Sequence, residues 1–324
     1  MTSEDHKNHK NREDHNAREY RRGQGRSKSR GPGGRETTLP RVLKILLGTA
    51  MAAAFFAAAL LTSTELVAYG IPEYFPHEFR KYDVYNDLPM KEADVDRVIK
   101  ETMEYLRGDR ESLVDVTAQI DGTDGVRFYD DSEVSHMADV RALFVGGLKL
   151  RNALAAFLAV CVCLLAAVAR SSGKGQNQKR APGTGEEENG RSLSGRLGFG
   201  SLWCAGVLRT FADVQLFMIA ACAVTALYAS TDFTRFFTMF HKVFFPQGNW
   251  EFDPAKSLMI NMLPEGLFSD TAMYIVLIFA VAEIAAVVLA RQLAHRLERG
   301  VDAEGAPENR ENGMRKNTKL RDSN

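Results

Sequence analysis

Four unbroken apolar runs alternate with polar, charged segments along the chain: Ile45–Thr64, Asn152–Ala169, Val214–Ser230 and Ala272–Ala290. Each is about as long as the ~17–25 residues that carry a helix across a bilayer, and none contains proline. Hydrocarbon offers no hydrogen bond to a bare amide, so runs of this length fold as helices. The pattern predicts an all-α membrane protein of four transmembrane helices with a small α+β extracytoplasmic cap. The segments are a disordered basic tail (1–41), a first span (42–64), the cap (65–142), a second span (143–169), a cytoplasmic loop (170–209), a third span (210–230), an aromatic-rich outer loop (231–271), a fourth span (272–290) and a tail (291–324).

Finer periodicities lie between the runs. In Glu92–Leu106, Val95, Val98, Ile99, Met103 and Leu106 form a helical stripe. Leu113–Ile120 alternates as a strand, Asp121–Gly125 reads as a turn, and Val126–Tyr129 reads as the returning strand. Asp131 or Ser132 then caps a helix that runs through His136 into the second span. About 78 residues make a small cap, one expected to rest on the bundle. Residues 1–40, Ser171–Ser194 and the stretch after Gly300 are rich in charge, Gly, Ser and Asn and read as flexible.

Charge sets the orientation. Lys plus Arg and Asp plus Glu both number 41, so nothing in the total points to a nucleic-acid partner. The slightly negative mean hydropathy averages over the four runs and hides them. Residues 1–41, 170–209 and 291–324 carry 11, seven and eight Lys/Arg, against nine in 65–142 and three in 231–271. By the positive-inside rule both termini and the middle loop face the cytoplasm. The cap, with 19 acidic and nine basic residues, faces outward. The first run follows a long polar leader and lacks a small-x-small cleavage site, so it reads as a retained anchor. Cys161, Cys163, Cys204 and Cys222 all fall in or beside the second and third spans, which leaves no disulfide framework and no outer thiol nucleophile.

Candidate chemistry narrows by elimination. Of seven histidines, only His77, His136 and His241 are expected outside, and the last two sit at the membrane-proximal edges of different outer loops. An imidazole is a base or an acid near neutrality; an ordinary interfacial role is the alternative. Seven of the 19 Phe fall within residues 233–252, with Trp250 among them. Asp232 caps a helix there, with Phe237, His241, Phe244 and Phe245 on one face. The cluster is either an interfacial belt or an apolar chamber for acyl chains, and its density of Phe favours the chamber. No Gly-x-Ser-x-Gly elbow lies outside. His136 and Asp139 are one turn apart and with His241 allow a metal, but no ligand-spaced motif supports one. Asp139 reads first as a residue that caps or orients a neighbour. Glu283, Lys149 and Arg151 are intramembrane ionisable groups, either functional or paired between helices.

The run Phe236-Phe237-Thr238-Met239-Phe240-His241-Lys242-Val243-Phe244-Phe245, then Trp250-x-Phe252-Asp253-Pro254, Leu258-Met259-Ile260 and Pro264-Glu265, preceded by His136-Met137-x-Asp139-Val140, resembles the bacterial lipoprotein intramolecular transacylase (Lit) family over about residues 42–290. Ser257 stands where the family has an acid, and Leu267 where it tends to have Phe. The resemblance implies catalytic histidines at His136 and His241. It implies a substrate-binding surface from Asp139, Phe237, Phe240, Phe244, Phe245, Trp250 and Asp253. It implies no cofactor and no metal. The implied reaction moves the sn-2 acyl chain of a diacylated bacterial lipoprotein onto the α-amino group of its N-terminal cysteine, at the outer face of the cell membrane and among membrane lipids. A membrane esterase with the same histidines and a non-enzymatic scaffold remain the alternatives.

Overall fold

The computed structural model describes residues 38–174 and 187–305. The expected disorder of residues 1–37 and 306–324, and of 175–186 in the middle loop, lies outside the described residues. Helix α1 (Thr38–Glu65) runs into a five-residue π-helical turn (Leu66–Gly70). Three shorter helices follow, α2 (Tyr74–Lys81), α3 (Val84–Asp87) and α4 (Glu92–Arg107), then strands β1 (Thr117–Ile120) and β2 (Thr123–Arg127). Helices α5 (Asp131–Lys174) and α6 (Glu187–Thr231) are long; α7 (Phe233–Phe244) and α8 (Leu258–Met262) are short; α9 (Glu265–Gly305) ends the described chain.

Helices α1, α5, α6 and α9 are each long and apolar enough to cross a membrane. They are longer than their apolar runs. Helix α1 starts inside the expected tail, with Pro40 in its first turn, where a missing N–H breaks no helical bond. Most of the interval assigned to a middle loop is helical too, since α5 continues to Lys174 and α6 begins at Glu187. The outward faces of these helices are apolar: Phe217 is 75% exposed and Val281 70%. That is the surface of a protein solvated by lipid, and the chain is a multi-pass membrane protein.

Between the helices small side chains allow close approach. At Gly48 a Cβ would come 2.7 Å from Thr210 Cβ and 2.9 Å from the Val207 carbonyl, so α1 and α6 meet backbone to backbone there. Met51, Cys161, Cys204, Phe211 and Val287 complete a core drawn from all four helices. Arg151 of α5 pairs with Glu65 at the end of α1. Glu283 is fully buried with no hydrogen-bond partner.

A second core lies outside the bundle interior. Helix α4 forms as its periodicity predicts and buries Val95, Val98 and Ile99 against Phe79, Leu113 and Phe128. Met137 of α5 and Met259, Met262 and Leu267 from the second outer segment join the same cluster, so the two outer segments share one core. Leu267 is fully packed there. The hairpin departs from expectation. Leu113 and Val116 are buried within a turn, and β1 starts only at Thr117. The reversal is the two residues Asp121 and Gly122, both at positive φ (48° and 79°), the geometry that Asp-Gly favours between twisted strands. Strand β2 therefore begins at Thr123, with a bulge between Ala118 and Ile120 on the facing strand.

Candidate active site

His136 sits in the second turn of α5. The cap of this helix is Asp130, one residue before the expected position. Its Oδ1 accepts the Glu133 N–H at 2.8 Å, and Glu133 Oε2 accepts the Asp130 N–H at 2.8 Å, a reciprocal capping box. The other Glu133 oxygen accepts the Ser257 hydroxyl at 2.5 Å, and Ser257 Oγ also accepts the Ile260 N–H that opens α8. Burial raises the Glu133 carboxyl above the usual range, and the Ser257 hydrogen bond opposes that shift. Ser257, noted in the sequence only as a departure from a family pattern, thus ties the second outer segment to α5 one turn before His136.

One turn after His136, Asp139 makes the matching tie. Its Oδ2 accepts from Gln247 Nε2 at 2.6 Å and from Asn249 Nδ2 at 2.9 Å. Asp139 therefore orients a neighbour, and the segment 245–257 is fastened to α5 on both sides of the histidine. Asp253 lies within this segment. Its carboxylate accepts the Ala255 N–H and pairs with Lys256, so it shapes the turn into α8.

His241 comes from α7, capped as expected by Asp232, which accepts the Arg235 N–H at 2.9 Å. His241 Nδ1 lies 2.9 Å from the Phe237 carbonyl. A carbonyl only accepts, so the neutral ring carries its hydrogen on Nδ1 and presents a lone pair at Nε2. The two imidazoles face each other with ring centres 6.0 Å apart and planes 29° apart. Around His241 stand Phe237 (4.1 Å), Trp250 (4.9 Å), Phe240 (5.5 Å) and Phe245 (5.5 Å). Phe245 and Phe252 lie edge-on to His136 at 4.9 and 5.7 Å. Phe244 touches only Phe240 in this group and turns outward.

The shell dries both rings: His136 is 6% exposed and His241 9%. Helix α5 has 44 residues, or about 66 Å at 1.5 Å per residue, roughly twice the hydrocarbon thickness. Its first turns pack in the outer core through Met137, so His136 stands outside the spanning part. Burial, then the neighbouring His241, lowers its pKa to about 4, while Asp139 and Asn249 pull the other way. His241 is also lowered, chiefly by burial, with the Phe237 carbonyl opposing. Both rings are neutral, and so basic, at neutral pH. Two buried polar atoms at the site have no partner, His136 Nδ1 and Asn249 Oδ1.

Among the described residues no three metal-ligating side chains converge. A cavity of about 420 Å³, lined by Tyr69, Phe75, Ile99, Met103 and Arg107 among others, includes neither histidine. The structure thus gathers His136, His241, Phe237, Phe240, Phe245 and Trp250, and leaves Phe244 and Asp253 at the edge. Glu133, Gln247, Asn249, Phe252 and Ser257 were not among the sequence candidates. The polar turn Gln247-Gly248-Asn249 inside an aromatic run, with Gly248 at φ 77°, is the signal that could have marked Gln247 and Asn249.

The family model "Lipoprotein intramolecular transacylase Lit" matches residues 49–268. Two solved structures of the membrane integral lipoprotein intramolecular transacylase Lit from Bacillus cereus share the fold. One is 17% identical with a TM-score of 0.56, covering 79% of this chain and 97% of that one. The other, which carries a histidine-to-alanine mutation, is 20% identical with a TM-score of 0.51, covering 79% and 95%. No curated protein sequence matches the chain.

Proposed function

The chain belongs to the lipoprotein intramolecular transacylase (Lit) family and is an acyltransferase, and from that premise we propose that it moves the sn-2 glyceryl acyl chain of a diacylated bacterial lipoprotein onto the α-amino group of the same lipoprotein's N-terminal cysteine. The product is the lyso-form. The observation that carries this reading is the pair of dry, neutral imidazoles 6.0 Å apart within a wall of aromatic rings.

The chemistry needs no enzyme nucleophile, because one substrate brings both amine and ester. An α-amino group has a pKa of about 7.7–8.0 and arrives mostly as ammonium. The desolvation that lowers the imidazole pKa acts on the ammonium too. His136 takes its first proton and becomes the acid. The amine attacks the ester carbonyl, and His241, through the Nε2 lone pair that the Phe237 carbonyl fixes, takes the second proton. The C–O bond breaks as His136 returns its proton to the glyceryl oxygen. An amide N–C bond has replaced an ester O–C bond, and one proton leaves His241 for solvent. Holding both ends of one flexible substrate in place supplies up to ~7–11 kcal/mol at the favourable limit. Phe237, Phe240, Phe245 and Trp250 hold acyl chains and keep out the water that would hydrolyse the ester.

The distribution of Lys and Arg supports cytoplasmic termini and a site at the extracytoplasmic membrane face. The outward face of α7, with Met239, Val243 and Phe244 exposed, lies against membrane lipids. The test is co-expression with a reporter lipoprotein in a bacterium that makes only diacylated forms, followed by tandem mass spectrometry of the N-terminal lipopeptide. An N-acyl cysteine fragment at unchanged total mass is expected. Loss of a whole acyl chain, or an unaltered diacylglyceryl cysteine, overturns the reading.

A further inference from the structure

Asn249 is fixed from its nitrogen end. Its Nδ2 donates to Asp139 Oδ2 at 2.9 Å and reaches Ser135 Oγ at 3.5 Å. A carboxylate only accepts, and Gln247 donates to the same Asp139 oxygen, so turning the amide over would set oxygen against oxygen. The amide oxygen is therefore committed to the opposite direction, where it is buried without a hydrogen bond. Ser135 and Asp139 flank His136 on α5, one residue before it and three after. His136 Nδ1 is buried and unpartnered as well. One acceptor and one ring nitrogen, each lacking a hydrogen bond, thus belong to neighbouring side chains, and Asn249 acts on the His136 imidazole.

We propose that Asn249 is a positioning residue for His136: its amide oxygen, aimed by Asp139, takes the Nδ1 hydrogen of the imidazole and leaves Nε2 to exchange protons with substrate. The two histidines then work alike, each holding Nδ1–H on a protein oxygen, Phe237 O for His241 and Asn249 Oδ1 for His136. When His136 becomes an imidazolium, the oxygen that held its neutral form holds the charge as well, with the Asp139 carboxylate behind it. The ionisable groups that act on His136 are Asp139 of its own helix and His241 of α7. The segment packed over it brings Asn249 and the rings of Phe245 and Phe252.

This inference rests on the transacylase reading for its kinetic arm and stands apart from it in its spectroscopic one. Purified full-length protein in detergent would turn over a diacylglyceryl lipopeptide across a range of pH, with N-acyl product read by tandem mass spectrometry. Asn249→Ala is expected to lower kcat about tenfold or more with little change in KM, as when a catalytic histidine loses the partner that sets its tautomer. Asp139→Asn, which frees the amide to turn, is expected to act in the same way from the other end. The double variant should be no worse than the weaker single one, since both remove one device. Asn249→Asp places a carboxylate against the ring and should move the acidic limb of the kcat profile up by about one unit or more. Effects that multiply in the double variant, or an Asn249→Asp rate that falls with its limb unmoved, overturn the proposal. Histidine-labelled ¹⁵N spectra, with His136→Gln to assign the signal, read the tautomer directly: Nδ1–H in the wild type and a mixture in Asn249→Ala. An Nε2–H ring in the wild type also overturns it. Absence of N-acyl product from a folded wild type sinks the transacylase reading instead, and the spectra then decide the tautomer alone.

Discussion

The two histidines reach the same site by opposite means. His136 belongs to a helix of 44 residues whose start is locked by a capping box and whose flanks are stapled by Glu133–Ser257 and Asp139–Asn249. His241 belongs to a helix of 12 residues with one side-chain cap, placed by aromatic contact: Phe237 and Trp250 on its ring, and Phe268 of α9 behind Phe237. Hydrogen bonds fix direction, whereas apolar contact fixes little more than distance. The helix that carries His136 is thus fastened by polar ties on either side of it, and the helix that carries His241 is seated chiefly by packing. Damage to each side should show a different symptom.

The largest effect tests whether both are needed. His136→Ala and His241→Ala should each lower the rate by ~10²–10⁴-fold, with the thermal transition and elution of the purified protein unchanged; N-acyl product per enzyme is the measurement. Near-normal turnover by either would leave a single working histidine. Next comes the polar side. Ser257→Ala strips one donor from a buried carboxylate and should destabilise by about 1–3 kcal/mol, read as a lower midpoint of thermal unfolding in detergent. Ser257→Asp sets a second carboxylate against Glu133 and should be worse. An unchanged midpoint in both would mean that the staple does not hold the helix start.

The packing side should fail in product, not in stability. Trp250→Ala or Phe237→Ala opens the wall around His241 to water, so part of the acyl chain should appear as free fatty acid, roughly a tenth or more of turnover. The ratio of N-acyl lipopeptide to fatty acid checks it, and a ratio like the wild type's would show that these rings do not exclude water. The smallest expected change is with pH. Both rings are shifted down, so the basic forms persist below the ordinary ~6.5, and the rate should fall only as pH drops through the lowered values, toward about 4 for His136. The unfolded chain takes up these protons first, so stability also falls between ~6.5 and that lower limit. An acidic limb at or above 6.5 would contradict the dry site.

The same contrast explains what the sequence disclosed. The four spans were legible because hydropathy over about 20 residues decides them alone. That His136 and His241 could meet beside an aromatic cluster was legible because only three of the seven histidines are expected in the outer segments. The polar staples were not, because each joins residues far apart: Gln247 and Asn249 reach Asp139 across 108 and 110 positions, and Ser257 reaches Glu133 across 124. No local pattern chooses such a partner. The hairpin failed for a local reason. The composition of Asp121–Gly125 suggests a five-residue turn where Asp121 and Gly122 suffice, and the strands shift with it.

Helix α5 is also a ruler. It carries His136 on one unbroken rod with the apolar run assigned to 143–169, seven residues or about 10 Å beyond its start. The height of His136 relative to that run is therefore set by counting residues along a stiff element, not by the softer loops around it. A lipoprotein ester floats at a depth dictated by its own acyl chains and by bilayer thickness. Meeting a fixed height, it would be selected by where it rides in the membrane before any side chain touches it.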